Sequence, residues 1–248
     1  MRILLANDDG IDAPGLALLA RAAELVSDDV WTVAPEVKHT AAGASLTMAK
    51  PLKMTKLGAR RYSCSGRPAD CIIAACAWLF AGDRKPDLVL AGINDGRNVA
   101  EDLAYSGTLG IAREATFWGI PAIGFSRVKQ PIASPDDAGW IAGFVRSLWA
   151  RRNEWVSEGH WLSVNLPGEL PAQIRQPNIG RDKIGGVANV IETNGDVTVI
   201  SFPRGRPRTT RAGDENEMID AGYVTVNRLN WFGQSPLEQG LLDDLGPR

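Results

Sequence analysis

Histidine and cysteine are scarce in this chain, at two and three residues. Cys64, Cys71 and Cys76 fit no CxxC spacing, which removes a zinc ribbon and a dithiol redox centre from consideration. Cys71 and Cys76 fall in an apolar helical run and read as core thiols, in keeping with a reducing compartment. His39 and His160 are isolated; a lone loop histidine is ordinarily a solvated side chain, and neither completes a Ser-His-Asp triad. Excess positive charge is missing too. A net charge of −2 leaves no global field for nucleic acid. Apolar stretches are too short and interrupted to cross a bilayer, and the strand after Arg2 meets carboxylates too soon for a signal peptide. The cytoplasm is therefore the expected compartment. Repeats and low-complexity tracts are also lacking. With 44% apolar and 23% charged residues, the 248-residue composition is that of a soluble globular protein with one large core and room for an appendage.

What is present is an alternation of strand and helix signals. Ile3–Ala6, Val30–Ala34, Asp87–Ala91, Ala122–Phe125 and Trp161–Leu166 are short, continuous apolar runs. Between them lie helical stretches at Gly15–Val26, Pro68–Phe80, Thr108–Trp118 and Ala138–Ala150. Buried apolar strands separated by helices indicate a parallel sheet covered on both faces. The fold class is α/β: a Rossmann-like, doubly wound sheet over residues 1–167, in three α/β/α layers. After Pro167 the pattern turns β-rich. Val187–Thr193 and Asp196–Phe202 read as a hairpin around Asn194-Gly195, and Gly222–Val226 as a further strand. Residues 168–248 thus read as a β-rich extension packed on the core. Its cluster Arg204, Arg206, Arg208 and Arg211 reads as a solvated arm balanced by Asp214, Glu215 and Glu217, with a phosphate contact as the other option.

In such sheets ligands bind outside the carboxyl ends of the strands, near the switch in strand order. Four polar loops can meet there. Asn7-Asp8-Asp9-Gly10 puts two adjacent carboxylates at the mouth of a buried strand, an arrangement that calls for a hard divalent cation; a cap on a helix begun by Pro14 is the alternative. Residues 36–45 carry His39 and Thr40. Asn94, just past the strand Asp87–Ala91, offers a carbonyl oxygen to a metal shell or simply forms a turn. Ser106-Gly107-Thr108 opens a helix, where it serves an anion cradle or an ordinary cap. Asp70, in Ser65–Asp70, favours the positive end of its helix. Together these loops hold what metal-assisted phosphate chemistry needs.

In this order and spacing, Arg2–Gly10 (RILLANDDG), Ser45-Leu46-Thr47, Ser65–Cys71 (SGRPADC), Pro86–Asn98 (PDLVLAGINDGRN), Tyr105–Thr108 (YSGT) and Gly222–Val226 (GYVTV) resemble the SurE family. These are stationary-phase survival proteins that act as metal-dependent nucleotidases. The resemblance implies a Rossmann-like core with a β-rich C-terminal extension, and a 5′-nucleotidase, with 3′-nucleotidase activity possible in the same site, hydrolysing nucleoside monophosphates with cation-activated water. It implies one divalent ion per subunit, Mg²⁺ or Mn²⁺, held by Asp8, Asp9, Asn94 and, at the family's serine position, Thr40. Asp8 and Asp9 take the catalytic role, and Asn98, Ser106, Gly107 and Thr108 the phosphate. A homodimer or homotetramer is implied, its C-terminal segments packed on or exchanged with a neighbour.

Two departures from the family pattern stand out. Thr40-Ala41 replaces Ser-Gly, which keeps the hydroxyl but restricts its rotamer and removes glycine's backbone freedom. Asp95 adds negative charge beside the site. These departures motivate a competing reading, a weakened homologue that binds metal and nucleotide without efficient turnover. A receiver-like phosphoacceptor module is a poorer match, because Asp87 precedes its strand where the phosphoacceptor should follow one.

Overall fold

The computed structural model describes residues 1–129, 131–132, 134–181, 187–202 and 211–233. In chain order the elements are β1 (Arg2–Ala6), α1 (Pro14–Glu24), β2 (Asp29–Pro35), β3 (Met54–Gly58), β4 (Arg61–Cys64), α2 (Pro68–Ala74) and β5 (Leu88–Asp95). They continue with α3 (Asp102–Tyr105), α4 (Gly107–Phe117), β6 (Ala122–Arg127), α5 (Asp137–Ala150), β7 (His160–Leu166) and β8 (Ile174–Arg175). Last come β9 (Asn189–Asn194), β10 (Val197–Ser201), α6 (Glu215–Asp220) and β11 (Val224–Asn230). Nine strands form one sheet in the order β3-β4-β2-β1-β5-β6-β7-β11-β8, while β9 and β10 form a separate hairpin. From β4 to β7 every pairing is parallel; β3 and β11 run antiparallel to β4 and β7. This is an α/β fold with a mostly parallel central sheet.

Strand alternation divides the core between the two faces of the sheet. Ile3 and Leu5 of β1 pack with Leu16 and Leu19 of α1 and with Ile141 and Phe144 of α5. Leu4 and Ala6 pack on the other side with Ile72 of α2 and with Ile111 and Ala115 of α4. Both faces are thereby covered, which is why the strands read as unbroken apolar runs. The chain leaves β1 toward β2 on one side and later crosses to β5 on the other. The crevice above the carboxyl ends of β1 and β5 is thus the switch point of the sheet.

Four features differ from the sequence reading. The strands β3 and β4 are additional: β3 is an exposed edge strand of mixed polarity, so it has no apolar run to betray it. The segment read as the loop 92–98 begins as strand, because Asn94 and Asp95 pair with Ser126 and Arg127 of β6 after a register shift beyond Ala91. The helix expected over Pro68–Phe80 is α-helical only to Ala74 and finishes as a π-turn over Ala75–Leu79. Finally, Asp214 and Glu215, read as the counter-charge of the arginine arm, are 1% exposed. Asp214 caps α6 by accepting from the Glu217 N–H at 2.9 Å, and Glu215 is drawn inward by buried amide donors. Arg204, Arg206 and Arg208 lie outside the described residues. The strand around Gly222–Val226 runs on as β11 and hydrogen-bonds along the whole length of β7.

Candidate metal and phosphate site

Asn7, Asp8 and Asp9 follow directly from β1. Asn7 is fully buried and its amide donates to the Gly10 carbonyl at 2.8 Å, folding the turn that lifts the two aspartates to the sheet edge. Neither aspartate caps α1: its N-cap is Ala13, without a side-chain bond, and Pro14 supplies the first turn. Asp8 is 6% exposed. Burial lifts its carboxyl to about 6; the Thr108 hydroxyl pulls it down, and the charge of Asp9 adds to the rise. Asp9 accepts the Asp95 N–H at 3.0 Å and pairs with the ammonium of Lys38.

The start of α4 is built against Asp8. Thr108, with no exposed surface, donates its hydroxyl to Asp8 Oδ1. A Cβ on Gly107 would stand 2.7 Å from the Asp8 Cβ, so only glycine lets the helix come this close. Ser106 accepts the Leu109 N–H at 3.1 Å as the N-cap of α4, and its residue also lines the cavity beside Asp8. Of the Ser106-Gly107-Thr108 turn, then, Ser106 borders open space, while Gly107 and Thr108 lie beneath it and hold Asp8.

That cavity has a volume of about 270 Å³, and Asp8, Asp9, Thr40, Asn94, Asn98 and Ser106 all line it. Asn94 donates its amide to the Gly96 carbonyl at 2.7 Å, which leaves its carbonyl oxygen as the remaining polar atom. Asn98 is 7% exposed; its side-chain amide donates to the Ser126 hydroxyl at 2.7 Å. Its backbone N–H donates to Asn165 Oδ1 of β7 at 2.8 Å, and its carbonyl accepts from the same amide at 3.0 Å. Asp70 lies deeper, accepting the Arg67 N–H at 2.7 Å and the Thr47 N–H at 3.1 Å, so it ties the loop after β2 to the start of α2. His39 donates its backbone N–H to the Asp8 carbonyl at 2.7 Å. Ala41 sits at φ 55°, the left-handed conformation that glycine adopts without strain.

Two participants carry no sequence signal of their own. Lys38 reads as any surface lysine, yet its ammonium faces Asp8, Asp9 and Asp95, and the pairing with Asp9 raises its pKa. Glu215 is remote in sequence, but its carboxylate accepts the N–H groups of Ala100 at 2.9 Å and Gly180 at 3.0 Å and the Asn227 amide at 3.1 Å. It latches the segment between β5 and α3 that carries Asn98.

The donors suit a hard cation. Among the described residues no group of three His, Cys, Asp or Glu side chains is placed to hold a metal ion. A metal here would rest on two carboxylates with neutral amide and hydroxyl oxygens, a set for Mg²⁺ or Mn²⁺ and not for zinc. The desolvated Asp8 and its Asp9 neighbour leave negative charge that the half-exposed Lys38 offsets only in part.

Residues 3–186 match the family model described as Survival protein SurE. The chain belongs to the SurE family. A SurE relative from Chelativorans sp. (strain BNC1), named 5′-nucleotidase SurE, is 50% identical over 239 residues, covering 93% of each chain. Another of that name, from Azorhizobium caulinodans, is 42% identical over 240 residues and 92% of each chain. Among solved structures, the crystal structure of the SurE protein from Aquifex aeolicus is similar with a TM-score of 0.75. It is 28% identical and spans 99% of this chain and 98% of that one.

Proposed function

We propose that this SurE-family protein is a metal-dependent phosphatase of nucleoside monophosphates, a 5′-nucleotidase. The observation that carries the reading is the convergence of Asp8, Asp9, Thr40, Asn94 and Ser106 on one cavity at the switch point of the sheet. The name 5′-nucleotidase borne by relatives that match over nine-tenths of the chain supports the same reaction.

Asp8, Asp9, Asn94 and Thr40 would hold one Mg²⁺ or Mn²⁺ ion. When bound, such an ion polarises a phosphoryl oxygen and lowers the pKa of a water molecule. Ser106 meets the phosphate from the N-terminus of α4, where the helix dipole favours an anion. Gly107 and Thr108 act from below, fixing Asp8 in place. The carboxylate of Asp9, partly open to the cavity, orients or deprotonates the attacking water. Lys38 offsets the phosphate charge that Asp95 would otherwise repel. We read the exposed β9–β10 hairpin as the arm that assembles a homodimer or homotetramer.

The test is phosphate release from nucleoside monophosphates, with and without chelator, for the wild type and Asp8→Asn. Loss of a first-ligand charge should cost more than about 100-fold in activity, and chelator should abolish it. Activity that resists both overturns the site. Tight nucleotide binding without product would instead favour the weakened homologue.

A further inference from the structure

A second cavity opens beyond Asp9 and Asn94. Its volume is about 580 Å³, within the range of about 300–1,000 Å³ that small-molecule sites occupy. It shares Asp9, Lys38, Asn94 and Asp95 with the polar cavity, so the two adjoin along those residues. Its other walls differ in character. Ala13, Pro14, Leu18 and the exposed Arg21 come from α1 and the residue before it; Ile93, Val128 and Pro131 come from β5 and the segment after β6.

We propose that this second cavity is the base subsite: the purine or pyrimidine ring enters between Leu18 and Val128 while the phosphate stays by Asp8, Asp9 and Ser106. The inference rests on the nucleotidase reading and deepens it. Three observations carry it. Leu18 and Val128 are only half-buried and Pro14 is exposed, so folding leaves an apolar surface directly beside a charged site. Such a surface suits a flat, weakly polar ring. The most deeply buried cation in the wall, Arg127, is already spent. It pairs with Asp137 at 2.6 Å and donates to the carbonyls of Pro167 and Gly168, so it braces the wall and offers nothing to an anion. Another sizeable cavity among the described residues, about 560 Å³ between α1 and Arg60–Arg61, touches none of Asp8, Asp9, Thr40 or Asn94.

The experiment fills the pocket with Ala13→Trp and Val128→Trp, neither of which is a residue placed on the metal or the phosphate. Kinetics are compared for AMP and for ribose 5-phosphate, which lacks the base. Adenosine binding, which needs no turnover, is measured by calorimetry. In both variants KM for AMP should rise at least about tenfold, ribose 5-phosphate should stay within about twofold, and adenosine binding should be lost. Unchanged AMP kinetics and adenosine binding in both folded variants overturn the subsite and leave the nucleotidase intact. An equal loss for AMP and ribose 5-phosphate also overturns it. A wild type that hydrolyses no monoester, yet binds adenosine in a way both variants abolish, overturns the nucleotidase reading and keeps the subsite. Should one variant fail to fold, the other decides.

Discussion

The hydroxyl of Thr108 bonds the carboxylate of Asp8 across 100 residues of sequence, joining the first turn of α4 to the turn after β1. Asp8 is thus aimed by the helix that follows the Ser106-Gly107-Thr108 turn. The motif read as a phosphate cradle also serves as the mount of a carboxylate.

Removing that mount should weaken cation binding. A hydrogen bond to a charged group contributes about 1.5–3 kcal/mol, so Thr108→Val should lower Mn²⁺ affinity by about 10–100-fold, while Thr108→Ser should retain most of it. Calorimetric titration with Mn²⁺ checks this. The pH profile follows from Asp8, whose pKa burial raises to about 6. A proton occupies the carboxylate below that value and must be displaced, so apparent affinity should fall by about tenfold per pH unit below 6 and level off above it. Thr108→Val should move the break upward.

Ala41 should be a position where glycine is better. A left-handed alanine costs about 1–2 kcal/mol, and glycine returns about 0.4–1 kcal/mol of that through the freer unfolded chain. Ala41→Gly should therefore stabilise the fold by about 0.5–1 kcal/mol, measured by denaturant unfolding. A loss of stability would show that the alanine methyl packs favourably.

Glu215 should give the stability of the protein a pH slope. Burial raises its pKa above the ordinary 4.5, against the pull of the Ala100, Gly180 and Asn227 donors. With the folded value above the unfolded one, its contribution is full below 4.5 and is lost as pH rises through the folded pKa. Glu215→Gln, with Asn227 turning its amide over, should flatten that slope. Glu215→Ala strands buried N–H groups and should cost about 2–4 kcal/mol. Unfolding free energies from pH 4 to 8 separate the two.

The hairpin should control assembly. Val190, Ile191 and Val197 are each about two-thirds exposed, an apolar surface that a lone chain keeps in water at a cost. Replacing residues 189–201 with a short Gly-Ser link should lower the mass in solution to that of a monomer and leave the sheet folded. Light scattering and circular dichroism read both. Cutting the chain after Pro167 would be a poorer test, because it would also strip β11 from β7.

How much of this was legible follows from which signals are local. The parallel strands announced themselves because burial on both faces leaves unbroken apolar runs such as Ile3–Ala6 and Leu88–Ala91. Asp8, Asp9 and Asn94 were legible as polar residues at the ends of those runs, and Pro14 as a helix start. An edge strand such as Met54–Gly58 buries almost nothing, so periodicity could not mark it. The extension of β5 to Asp95 depends on pairing with Ser126 and Arg127, 32 residues away. Glu215 reads from sequence only as counter-charge to the arginine cluster, because two of its three partners are backbone N–H groups, whose approach no side-chain pattern encodes. Lys38 was missed for a similar reason, since a loop lysine acquires meaning only when three carboxylates fold around it.

That lysine bears on how the protein comes into being. With its ammonium seated on Asp9, the paired aspartates have a counter-charge from within the chain. That internal charge offsets part of the repulsion between Asp8 and Asp9 as the turn folds, a task that in small zinc domains falls to the metal itself. A divalent cation that binds the folded chain would add its own stabilisation to that of Lys38, so the supply of metal bears on how many molecules survive as well as on how many are active.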